Sequence, residues 1–149
     1  MKKAQQGFTI LELMIAVGIT GILAAIAIPA YDIYVGRAQA AEAFELLRGI
    51  KNPVEEYFNT TGTMPDVDSL YGIKTSGKYV KEIKKDQLDS HKYIAVFKSI
   101  GFVSPGLADM ELEFSYDTSS GEWNCSGPAN RQMYLPNTCK PSRAAAGAL

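Results

Sequence analysis

Apolar side chains are spread unevenly along this chain. From Phe8 to Ile28 they form one nearly unbroken run of 21 residues that holds a single charge, Glu12. At about 1.5 Å of rise per residue, a helix over this run is roughly 31 Å long, which matches a bilayer hydrocarbon core of about 30 Å. Beyond Pro29 the pattern changes. Phe44, Leu47, Ile50, Val54 and Tyr57 or Phe58 recur at spacings of three and four, and Arg37, Glu45, Arg48, Glu55 and Glu56 fall largely between them. This spacing predicts an amphipathic helix with one face on a core. Pro29 and Pro53 each remove an intrahelical donor, so two kinks are expected rather than two stops. Asn59-Thr-Thr-Gly62 is the expected end, with Gly62 as the C-terminal cap. The predicted element therefore runs from about Phe8 to about Asn59.

Residues 60–78 carry Gly62, Pro65, Gly72 and Gly77 and read as a loop. Strand signals follow over Tyr79–Lys85, Tyr93–Lys98, Met110–Tyr116 and Glu122–Ser126. The third is the clearest, because Met110, Leu112, Phe114 and Tyr116 alternate with Glu111, Glu113 and Ser115. Asp117-Thr-Ser-Ser-Gly121 reads as a hairpin connection. The expected fold class is α+β. A long N-terminal helix, membrane-spanning in its first half and amphipathic in its second, packs on a roughly four-stranded antiparallel sheet and is followed by a C-terminal disulfide-bounded loop. The tail from Lys140 to Leu149 is expected to be mobile.

Charge and cysteine usage narrow the function classes. The formal net charge is −1, from 15 basic and 16 acidic side chains. Such a balance is no signature of a generalised nucleic-acid binder. Two cysteines, Cys125 and Cys139, and one histidine are too few for a structural zinc site. After a membrane-type segment the two cysteines read as one disulfide in an oxidising compartment, which stabilises by roughly 3 kcal/mol in the chain-entropy model. The alternative is two free buried thiols. Lys2 and Lys3 just before the apolar run place that end in the cytoplasm and residues 30 onward outside. An ordinary secretory signal peptide competes with this reading, with Ala25-Ile26-Ala27 as its cleavage site. It is disfavoured because the run exceeds the usual apolar length of about 7–15 residues and contains an acid that is costly in the bilayer.

Lys2-Lys3, then Gly7 followed by Phe8-Thr-Ile-Leu-Glu12-Leu-Met-Ile, then Gly-Ile-Leu-Ala-Ala-Ile-Ala-Ile-Pro29-Ala-Tyr31, closely resembles the N-terminus of type IV prepilins of the type IVa kind. Thr9-Ile10-Leu11 departs conservatively from the Thr-Leu-Ile of many relatives. The resemblance implies a structural subunit and no enzyme, with no cofactor. A prepilin peptidase would cut between Gly7 and Phe8 and N-methylate the new amine of Phe8. That divides the chain into a leader over 1–7, a transmembrane and fibre-core half-helix over 8–29, and a periplasmic or extracellular globular domain over 30–149. The subunit would wait in the inner membrane as a single-pass protein with a cytoplasmic N-terminus. It would then join other copies of itself in a helical filament, with the pilus assembly platform and minor pilins as further partners. The implied roles are adhesion, twitching motility and DNA uptake, with host surfaces or DNA as contacts. The alternatives are a minor pilin, a DNA-receptor pilin or a type II secretion pseudopilin.

The chemistry of the motif can be argued separately. After cleavage Phe8 would carry an amine with a reference pKa of about 7.7–8.0. Phe8 and Glu12 lie four positions apart, on one helix face. Paired in low dielectric, within one chain or between neighbours, they relieve a cost that either charge alone would carry. Gly18 and Gly21, with Ala24, Ala25 and Ala27, permit close helix approach, and the glycines also weaken the helix before Pro29.

Other constellations carry less. Asp89, Ser90 and His91 are adjacent in sequence, which is no triad. Asp66 and Asp68 lack enough neighbouring oxygen ligands for calcium. The patterns at Asn59 and Asn124 match glycosylation acceptors by chance, and Ser142 is a candidate for O-glycosylation. Residues 74–98 hold seven lysines against three acids, and residues 32–68 hold seven acids against three bases. The first reading of this asymmetry is complementary contact between subunits together with a lysine-blunted sheet edge. The second is a DNA-contacting stripe that includes Lys78, Lys81, Lys84 and Lys85.

Overall fold

A computed structural model describes residues 7–141. Lys2, Lys3 and Ser142 lie outside the described residues, as does the expected tail beyond Pro141. Two compact units are distinguished, Met1–Asp32 and Ile33–Leu149. One helix, α1, covers Ile10–Thr61 and passes through Pro29 and Pro53 without a stop. It starts two residues later than expected, because Thr9 is its N-cap rather than a helical residue. It ends at Gly62, whose φ of +73° suits glycine and whose N–H reaches the Phe58 carbonyl at 2.8 Å.

In the second unit the buried face of α1 is Gly36, Ala40, Ala43, Leu47, Ile50 and Val54, at alternating spacings of four and three. Leu47, Ile50 and Val54 are fully covered, each worth roughly 1.5–3 kcal/mol of transfer free energy. Phe44 and Phe58 flank this stripe, half-buried edge-on against Phe114 and Tyr116. The small residues at the start of the stripe let other chain segments come close to the helix.

The sheet has five strands in sequential order: β1 Val80–Lys85, β2 Lys92–Phe97, β3 Glu111–Asp117, β4 Glu122–Gly127 and β5 Lys140–Pro141. The first four are antiparallel, as expected, with boundaries shifted by at most one residue. The fifth pairs with β4 in parallel, Ser126 against Lys140 and Gly127 against Pro141. The first two residues of the expected mobile tail are thus hydrogen-bonded into the sheet, next to the disulfide that holds Cys139. Tyr93, Ala95 and Phe97 from β2 and Leu112 and Phe114 from β3 face the helix. The Tyr93 hydroxyl is buried and donates to the Pro65 carbonyl at 2.8 Å, and burial raises its pKa.

Two irregular segments complete the core. Residues 99–109, unassigned by periodicity, contribute Val103 and Leu107, both buried. The loop before β1 is clipped to α1 by Glu42, whose two carboxylate oxygens accept the N–H groups of Lys78 and Tyr79 at 2.5 and 2.6 Å. Gly77 lies so close to that carboxylate that any side chain there would collide with it. An acid on the helix thus satisfies two backbone donors of a loop 36 residues further on.

Candidate functional site

Among its described residues the first unit has no core of its own. From Phe8 to Ile28 every large apolar side chain is exposed, between 54% and 80%. The first half of α1 is long and apolar enough to cross a membrane, and none of that window is buried. Thr20, one of its few polar side chains, returns its hydroxyl to the carbonyls of Ala16 and Val17 at 3.0 Å, so it adds no unsatisfied group to an apolar surface. Gly18 and Gly21 face open space, with nothing within 4 Å of where a Cβ would stand. Such positions can admit a neighbouring helix backbone.

At the helix start Thr9 and Glu12 form a reciprocal cap. The Thr9 hydroxyl accepts the Glu12 N–H at 3.2 Å, while a Glu12 carboxylate oxygen accepts the Thr9 N–H at 2.9 Å and the Thr9 O–H at 2.7 Å. This satisfies two donors that the first helical turn leaves orphaned. Glu12 therefore already has a partner within its own chain, and its carboxylate turns back toward the chain's N-terminal end. The signal was present in the sequence as Thr-x-x-Glu ahead of an apolar run. Read only for its charge, Glu12 hides the role of Thr9. The structure leaves Phe8 80% exposed and does not bring Pro29 against any site.

At the other end of the chain, Cys125 and Cys139 are joined in a disulfide. The segment it closes has further anchors. Tyr134 lies over Gly36 of α1 and against Gly106; a Cβ at position 36 would stand 2.5 Å from its ring. Arg37 donates through Nε to the Met133 carbonyl at 2.7 Å, and Arg131 donates to the Ala108 carbonyl at 2.8 Å. Leu135 is buried against Gly127. The close approach of Tyr134 to Gly36 is a long-range feature that sequence spacing does not reveal.

The lysine-rich segment is largely committed to internal bonds. Lys85 donates to the Met64 carbonyl at 2.7 Å with its side chain only 18% exposed. Lys84 pairs with Glu111 at 3.2 Å, Lys92 lies between Asp86 and Glu113, and Lys98 donates to the Gly77 carbonyl at 2.9 Å. Lys78 places its ammonium 5.1 Å from the centre of its neighbour Tyr79's ring. Among the described residues, Lys74, Lys78 and Lys81 are exposed with no carboxylate within 4 Å. Asp89, Ser90 and His91 share the turn before β2. The His91 Nδ1 lies 3.4 Å from the Ser90 hydroxyl and 3.7 Å from the Asp89 carboxylate.

Residues 36–140 match the family model for pilin, the bacterial filament protein, and residues 2–28 match the prokaryotic N-terminal methylation motif. The chain is 40% identical to fimbrial protein EcpC of Eikenella corrodens over 145 residues, covering 94% of each protein. This chain is a type IV pilin. The pilin is also 48% identical to the type IV major pilin protein PilE of Neisseria gonorrhoeae over 165 residues, covering 94% of this chain and 96% of that protein. A fimbrial protein of Dichelobacter nodosus is 39% identical over 127 residues, covering 82% and 74%. The pilin is accordingly a structural subunit of a pilus, with an apolar N-terminal helix suited to a membrane-anchored precursor and to a fibre made of its own copies.

Proposed function

We propose that this pilin is the major subunit of a type IVa pilus, cut between Gly7 and Phe8 by a prepilin peptidase and N-methylated on Phe8. Its carrying observation is the first half of α1, a 21-residue apolar run with a single acid, Glu12, whose large side chains are covered by nothing among the described residues. The precursor spans the inner membrane once, with its N-terminus in the cytoplasm and residues 30–149 outside. Residues 1–7 are the leader, and residues 8–29 pass from bilayer to fibre core. On leaving the bilayer, Glu12 exchanges its own-chain cap for the Phe8 amine of an adjacent copy. Gly18 and Gly21 receive neighbouring helices, and the segment from Gly18 to Pro29 loses helix in the fibre.

The assembly platform and minor pilins would act on this same surface, and the fibre would serve adhesion and twitching motility. The relatives named as major pilins support the major role over a minor pilin or a pseudopilin. A DNA contact during uptake would fall mainly to Lys78 and Lys81, because Lys84 and Lys85 hold internal partners. The deciding measurement is mass spectrometry of the sheared surface fraction. An abundant chain beginning at N-methyl-Phe8 is expected. A mature start near Ile28 or Tyr31 would overturn the proposal in favour of an ordinary secreted domain.

A further inference from the structure

A cleft of about 250 Å³ opens beside the disulfide, between α1, the β3–β4 pair and the C-terminal segment. Its lining includes Arg48 and Lys51 from the helix, Phe114 and Trp123 from the sheet, Asn124, and Thr138. Arg48 and Lys51 are three positions apart and so share a helix face. The Lys51 ammonium lies 4.9 Å from the centre of the Phe114 ring and 5.7 Å from that of Trp123. Among the described residues no carboxylate comes within 4 Å of it. Glu55, one turn further along α1, instead accepts the Trp123 indole N–H at 2.6 Å. Desolvation, and then Arg48, lowers the Lys51 pKa, with Glu55 opposing. Glu55 acts on Lys51 only from a distance while it holds the indole, so the ammonium has no direct ion pair and is open to an incoming anion. Arg48 is held only by an exposed pair with Glu45 at 3.6 Å, of a kind that contributes little and exchanges easily.

The rest of the lining limits which anion fits. A guanidinium matches a carboxylate in two-pronged geometry. The Asn124 amide and the Thr138 hydroxyl can both donate and accept, which suits ring hydroxyls. The indole of Trp123 supplies an aromatic surface for the C–H face of a ring. The volume lies just below the range of about 300–1,000 Å³ typical of drug-sized ligands, so one ring is what it can hold.

We propose that this cleft binds a single acidic sugar residue, with its carboxylate on Arg48 and Lys51 and its hydroxylated ring against Trp123, Asn124 and Thr138. The inference does not rest on filament assembly, since binding can be read on single chains. Trp123 is the only tryptophan of the protein, so its fluorescence reports on this cleft alone.

The test titrates the full chain in detergent micelles with D-glucuronate, D-glucose and acetate at matched ionic strength. Glucuronate should give a saturable change, with glucose and acetate each at least tenfold weaker. Lys51→Gln should weaken glucuronate at least tenfold, Arg48→Gln by several-fold, and Lys81→Gln not at all. Near-UV circular dichroism checks that the variants keep their packing, and the exposed Arg48 carries the test alone if Lys51→Gln does not fold. Equal binding of glucose and glucuronate would overturn the proposal, as would wild-type affinity in both cleft variants. Acetate binding as tightly as glucuronate would also overturn it, showing a carboxylate receptor that an acidic side chain of a second copy could equally fill.

Discussion

The two halves of α1 are one continuous helix with opposite allegiances. From Ile10 to Ile28 its large apolar side chains are exposed on every side. From Gly36 to Val54 a single stripe is buried, and the other positions are half-covered or exposed. Local helix propensity does not separate them, since both halves are helical. The number of apolar faces does. One apolar face can be satisfied within a chain by a sheet; apolar surface all round must be satisfied by lipid or by other chains. The first half is therefore built for intermolecular burial and the second for intramolecular burial.

Substitutions can separate these roles. The largest effect is expected from Glu12→Ala, which should leave processing and membrane insertion intact yet reduce surface pili in sheared fractions to a few per cent or less. Normal pilus yield would refute the charge-pair reading. The same variant should not change the thermal midpoint of the globular unit, because among the described residues Glu12 bonds only to Thr9. Leu47→Ala should do the reverse. It removes a fully buried side chain and should destabilise the globular unit by about 2–5 kcal/mol in denaturant titration, without altering membrane insertion. Gly36→Ala should cost less, about 1–3 kcal/mol, as Tyr134 is pushed off the helix. A companion Tyr134→Ala change should absorb most of the steric part of that effect; strict additivity in the double mutant would show that the two residues do not meet.

Much of this division was legible in the sequence. Leu47, Ile50 and Val54 declared the core face by size and spacing, and Met110 to Tyr116 declared a strand by alternation. The four antiparallel strands and the Cys125–Cys139 bridge follow the expectation. What could not be read is of three kinds. Gly36, Ala40 and Ala43 extend the core stripe but are too small to carry a hydrophobic signal, and at Gly36 what matters is the close approach of Tyr134 from a distant segment. Val103 and Leu107 enter the core from an irregular stretch with no period. β5 is two residues long, set by its neighbour across the disulfide rather than by any propensity of Lys140 and Pro141. The lysine-rich segment teaches a related lesson, because local charge counts do not reveal that Lys84, Lys85, Lys92 and Lys98 have partners elsewhere in the fold. In the candidate assembly site Glu12 stands out by its charge, while the cap it shares with Thr9 shows only as the Thr-x-x-Glu pattern.

The C-terminal segment is held in a particular manner. Arg37 and Arg131 both take backbone carbonyls, Gln132 takes another at Gly127, and the disulfide closes the far end. The side chains of Ala129, Asn130, Met133, Pro136 and Asn137 remain exposed. The bonds to Met133 and Ala108 are indifferent to the side chains of the residues that accept them. A lineage could therefore rewrite most of the outward lettering of this segment while Tyr134, Leu135 and the two cysteines keep it in place. The protein's visible face and its architecture are free to change at different rates.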